Sequence, residues 1–156
     1  MKKTILAGVF AALLLVGCNT TETVEKEQPT AQQPETLILY KSNANADAVM
    51  PFEVAYNGTD SGLVDFIFDE VAEFEVGLLN YTFEDEGKGL VLNLDDNIFN
   101  VQGSAGGNMF AQTLTHSYFE HFPELQQVTF IHNGSYEQIL DHLQVGEPYT
   151  RDALNK

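Results

Sequence analysis

Apolar and polar positions fall into blocks of different period. The chain opens with Lys2 and Lys3, then an apolar run from Ile5 to Val16 broken only by Gly8 and small alanines. That run is too short to cross a hydrocarbon core of about 30 Å comfortably as a permanent helix, and it suits a secretory signal. Asn19 to Glu35, "NTTETVEKEQPTAQQPE", has almost no apolar positions. Such a segment cannot bury enough surface to fold and reads as a disordered tether.

From Thr36 the pattern is that of a folded domain. "TLILYK" and "VMPFEVAYN" are short β-rich runs, the second ending in the turn signal Asn57-Gly58. Pro51 places that second run at a sheet edge or makes its start irregular. "TDSGLVDFIFDEVAEF" reads as a helix capped by Asp60 or Ser61. Leu63, Phe66, Ile67, Glu70 or Val71, and Phe74 fall at helical spacing, and Asp65, Asp69 and Glu73 would line the wet face. "LLNYTFEDEGKGLVLNLDD" reads as a hairpin whose turn holds Gly87 and Gly89, both able to take positive φ. A second helix is expected from a cap at Ser104, with Phe110, Leu114, Tyr118 and Phe122 recurring every four residues, Ala111 beside them, and Pro123 as the stop. "LQQVTFIH" is a strand, Asn133-Gly134 a tight turn, and "SYEQILDHLQVGEPYTR" a closing segment without a strong period. The order β, β, α, β, β, α, β implies an α+β domain, with two helices on one face of a small, mostly antiparallel sheet.

Length and charge refine this picture. A chain of 156 residues fits one core once leader and tether are set aside. The expected division is a leader at 1–17, a lipidated cysteine and tether at 18–35, and a domain at 36–152. Seven Lys and Arg face twenty-three Asp and Glu, a formal net charge of -16. Loss of Lys2 and Lys3 with the leader makes it 5 - 23 = -18. A field of that sign repels nucleic acid and anionic lipid head groups. It suits a solvated surface, or basic partners or cations.

The leader ends in Leu15-Val16-Gly17-Cys18, which resembles the bacterial lipobox. The resemblance implies a diacylglyceryl group on the Cys18 thiol and cleavage before it. Acyl chains anchor at about 0.8 kcal/mol per buried CH₂. The expected location is therefore the extracytoplasmic face of a bacterial cell membrane. Cys18 is the sole cysteine, so the exported domain has no disulfide and no thiolate metal site.

Candidate chemistry is thin. In "HSYFEH", His116 and His121 are five residues apart, about 140° around a helix, and would not converge on one metal ion. Glu120 can instead pair with His116 on the surface. "GSAGGN" lacks the lysine of a P-loop and the spacing of a dinucleotide fingerprint. No serine sits in a GxSxG elbow. "NLDDN", Asn93 to Asn97, offers oxygen ligands for calcium but lacks EF-hand spacing and reads better as a strand-end turn. No catalytic residue, cofactor or metal is expected.

The second half carries a resemblance. Leu90–Asp95, then Gly103-Ser104-Ala105, Ala111-Gln112-Thr113-Leu114, Phe122-Pro123, Val128–Ile131 and Gly134 look like the GerM domain of spore-forming and related Gram-positive bacteria. "VGEPYTR" is similar to that family's usual end, with Glu147-Pro148 and Arg151. The match spans Gly89 to Arg151; earlier elements agree in order only. Where many members carry Leu-x-Gly-Pro after the first helix, this chain has "EFEVGLLNYT", and where some hold two tandem domains it has one. The resemblance implies a small α+β module with two helices on a three- or four-stranded sheet, similar to ring-building domains of secretion machines. It implies a non-enzymatic envelope lipoprotein linked to sporulation and germination, with envelope protein partners or self-association. An envelope lipoprotein that binds a cation or cell-wall ligand is the alternative. Gly103, Ser104, Ala105, Leu114, Phe122, Pro123 and Gly134 are then core and turn residues.

Overall fold

The alternating apolar residues Leu37 and Leu39 point into the core, and this fixes strand β1 (Glu35–Ser42). The structure, a computed structural model, describes residues 34–154. The leader, Cys18 and most of the tether lie outside them. β1 begins at Glu35 and pairs antiparallel with β2 (Val49–Tyr56) in a two-stranded sheet of their own.

The pairing explains Pro51. Tyr40, opposite it, donates its N–H away from β2, to Ser117 Oγ at 3.0 Å. Tyr40 and Pro51 therefore form a non-hydrogen-bonded pair, and the N–H that proline lacks would have faced the outer edge.

Helix α1 spans Leu63–Val71 and buries Val64, Ile67, Phe68 and Val71. Ile67 and Val71 of the expected stripe are buried, but Leu63, Phe66 and Phe74 pack only partly against the core, and Val64 and Phe68 are buried where the stripe did not place them. The expected caps are also corrected. Asp60 and Ser61 lie in a 3-10 turn before α1, and neither it nor α1 has a side-chain cap bond. The helix stops at Val71 because Ala72 turns extended, with ψ of 123°, and Phe74 and Glu75 then turn left-handed, with φ of 64° and 59°.

The second sheet has the order β3-β4-β5-β6: β3 (Leu78–Glu84), β4 (Gly89–Leu94), β5 (Gln127–His132) and β6 (Pro148–Thr150). β4 and β5 run parallel, and the other pairs are antiparallel. Helix α2 (Gly103–His121) makes the crossover that a parallel pair requires. In the β3–β4 turn the positive φ values fall on Asp85, Glu86 and Gly87, not on Gly89, which lies within β4. β6 and a last short helix, α3 (Arg151–Leu154), emerge from the closing segment. The domain is α+β, with the first two strands split off into a separate hairpin.

Leu90, Leu92 and Leu94 of β4 meet Phe110, Leu114 and Tyr118 of α2 in one core. The Phe110 and Phe130 rings lie 5.8 Å apart. A second part of α2 is buried but polar. Thr113, Thr115 and Ser117 are fully buried, and each hydroxyl donates to a carbonyl of its own helix. Ser117 Oγ also accepts from Tyr40 N of β1 at 3.0 Å, and no hydroxyl of the three is left unsatisfied.

Candidate functional site

Three polar places could carry chemistry. The first lies where the parallel strands β4 and β5 end. Asp95 leaves β4 and accepts from Gly77 N at 2.9 Å and Asn97 N at 3.0 Å through Oδ1, and from Asn97 Nδ2 at 3.1 Å through Oδ2. Asp96 Oδ1 lies 2.9 Å from His132 Nε2 and accepts from Asn133 Nδ2 at 2.7 Å. Those bonds, His132 first, hold the Asp96 carboxyl below its ordinary range. Asn133 and Gly134, with φ of 47° and 79°, close a two-residue hairpin turn, and Gly134 N donates to Asn93 Oδ1 at 2.8 Å. The "NLDDN" carboxylates are thus engaged in tying strand ends together. Among the described residues no group of three or more His, Cys, Asp or Glu could hold a metal ion.

The second place is a cavity of about 200 Å³ lined by Tyr40, His116, Phe119, Glu120, Arg151 and Leu154. Burial pulls the His116 imidazole below its ordinary value, and its ring packs 5.3 Å from that of Tyr40. Glu120 accepts from the Tyr40 hydroxyl at 3.3 Å, where the sequence suggested a pairing with His116. His121 Nε2 lies 2.9 Å from Ile38 O. The two histidines therefore serve different contacts of the same strand.

Arg151 turns this cavity into a joint. It donates from Nε to Leu125 O at 2.8 Å, and from Nη2 to Phe119 O at 3.0 Å and Phe122 O at 2.8 Å. Its guanidinium sits 4.7 Å from the Phe119 ring centre. A cation at the carbonyl end of α2 satisfies acceptors that the helix leaves open and opposes its dipole. Arg151→Met keeps the apolar stem and removes all three donors. It is expected to cost about 1–3 kcal/mol in urea unfolding, with Arg151→Lys intermediate.

The third place is a hollow of about 570 Å³ beside the start of α2, lined by Ser104, Gln138, Leu140, Asp141, His142, Leu143 and Gln144. Ser104 is not the cap of α2. The N-cap is Gln102, without a side-chain cap bond, and Gly103 enters the helix at φ 68°. His142 Nε2 lies 2.7 Å from Val101 O, so it too ties loop to loop.

The residues singled out in sequence are not brought together. Ser104 and Ala105 are exposed in the first turn of α2 and Leu114 sits in the core. Phe122, next to Pro123, stacks on Phe83 at 5.5 Å, and Gly134 sits in its turn. Cys18 lies outside the described residues. Sequence reasoning missed Gly107 and Gly146, where an added Cβ would overlap the carbonyl oxygens of His142 and Tyr136 respectively. A glycine inside a helical pattern was the available signal for the first of these.

No family model matches the sequence, and neither does any curated protein. Solved structures do match. The tandem GerMN domains of the sporulation protein GerM from Bacillus subtilis are 19% identical over 83% of this chain and 49% of that chain, with a TM-score of 0.52. The chain thus spans about half the length of that tandem structure. The first GerMN domain of the same protein is 11% identical over 76% of this chain and 98% of that one, with a TM-score of 0.57. At such identities it is the fold that is shared: the domain of this chain has the GerM-like α+β fold.

Proposed function

We propose that this chain is a lipid-anchored protein of the bacterial cell envelope, without enzymatic activity, whose GerM-like domain binds or assembles with other envelope proteins. The observation that carries this reading is the likeness to the domains of a sporulation protein. The lipobox at Leu15–Cys18 and the polar tether behind it supply the anchor. The polar clusters support a framework role, since their side chains hold strand ends, helix ends and loops. The same likeness favours a place in sporulation or germination. A cation- or wall-binding alternative rests on the acidic excess, and no geometry at Asp95 or Asp96 favours it.

The anchor has a direct test. Cys18→Ala is expected to release the protein from the membrane fraction and to abolish the mass of the diacylglyceryl group. Unchanged fractionation and mass would overturn the anchor.

A further inference from the structure

Two sheets have four strand edges. That of β1 is engaged by α2, with Tyr40 N donating to Ser117 Oγ at 3.0 Å and Ile38 O lying 2.9 Å from His121 Nε2. The outer edge of β2 carries Pro51, which offers no donor there. β6 is only three residues long. β3 is seven residues long, holds no proline, and among the described residues pairs only with β4. An open edge presents unpaired N–H and C=O groups to any extended segment that fits.

β3 also offers apolar contacts. Its pairing shifts between Leu78 and Asn80, and this bulge leaves Leu79 51% exposed. Phe83 is 40% exposed, stands edge-on to Tyr81 at 6.0 Å, and leans on Phe122. The surroundings are acidic. Glu84, Asp85 and Glu86 close the strand's far end. The Tyr81 hydroxyl donates to Ser61 O at 3.2 Å, which sets β3 beside the turn holding Asp60.

From this edge, its apolar side chains and its flanking charge, we infer that β3 is a docking strand for an extended, lysine- or arginine-bearing segment of a partner protein, added antiparallel or parallel to the sheet. The backbone edge supplies affinity, Leu79 and Phe83 supply apolar contact, and the acids select a cationic partner. A second copy of this chain is disfavoured, because each copy would carry the same large negative charge, -16 with its leader and 5 - 23 = -18 without it. The inference rests on the assembly reading and names its surface.

The test uses the full-length, membrane-anchored chain in its host. A benzophenone amino acid replaces Leu79 or Phe83, or, on the other sheet, Ile38 or Met50, which are 42% and 51% exposed. Crosslinked peptides are sequenced by mass spectrometry. Leu79 and Phe83 should crosslink to one Lys/Arg-bearing segment of one partner. Glu84→Lys with Glu86→Lys should cut that yield roughly tenfold, through like-charge repulsion. Capture only through Ile38 or Met50, capture of copies of this chain alone, or a yield indifferent to charge reversal would overturn the β3 inference while leaving an assembly role standing. Capture from no position would sink both.

Discussion

Leu114→Asp is expected to abolish cooperative folding. Leu114 is fully buried at the middle of α2, among Leu90, Leu92 and Phe130. Truncating such a leucine alone costs about 2–5 kcal/mol. The aspartate adds either a buried charge or a carboxyl protonated against its ordinary range, and the core around it offers aliphatic and aromatic groups in place of partners. Together these reach the whole stability of a domain this size, about 5–15 kcal/mol. Circular dichroism should show no sigmoidal thermal transition for this variant. Leu114→Met should stay within about 1.5 kcal/mol of the parent. A melting curve unchanged by the aspartate would put position 114 outside the core and refute the orientation of α2.

The second large effect separates two glycines of one motif. Gly103→Ala meets no atom within 4 Å, so it pays only for its left-handed φ of 68°, about 1–2 kcal/mol. Gly107→Ala should cost about 3 kcal/mol, although helix propensity alone favours alanine there by about 1 kcal/mol. Its Cβ would overlap the carbonyl oxygen of His142. That carbonyl cannot simply turn aside. Gln138 holds its loop through Leu143 O at 2.7 Å and Val145 N at 2.9 Å, and Gly146 N is bonded to Phe130 O at 2.8 Å. Urea midpoints of the two variants settle the order. Equal losses, or a stabilised Gly107→Ala, would mean that the closing segment does not pack against α2 in this way.

How much of this could be read from sequence varies with the kind of order involved. The four-residue recurrence of Phe110, Leu114 and Tyr118 gives α2 outright, because a buried stripe on a helix has that period. Asn133-Gly134 gives its turn, because few other pairs take two positive φ values. α1 was legible in part: Ile67 and Val71 are buried as expected, but "LVDFIF" offers two overlapping stripes, and the stop at Ala72 uses neither Gly nor Pro. The separate β1–β2 sheet was not legible. It meets α2 through Ser117, a polar residue that looks like part of a wet face until its hydroxyl is seen donating to Thr113 O and accepting from Tyr40 N. Arg151 was visible only as a motif residue. Its work lies in contacts 26 to 32 residues away, which spacing cannot show. The same holds for Asp96 and His132, 36 residues apart.

The central claim is that the domain assembles with other envelope proteins. Its most direct test is in-cell crosslinking of a C-terminally tagged, full-length copy in the native host, followed by mass spectrometry of the captured species. Stoichiometric capture of one or two envelope proteins is the predicted result. A clean monomer under both growth and starvation would contradict the claim.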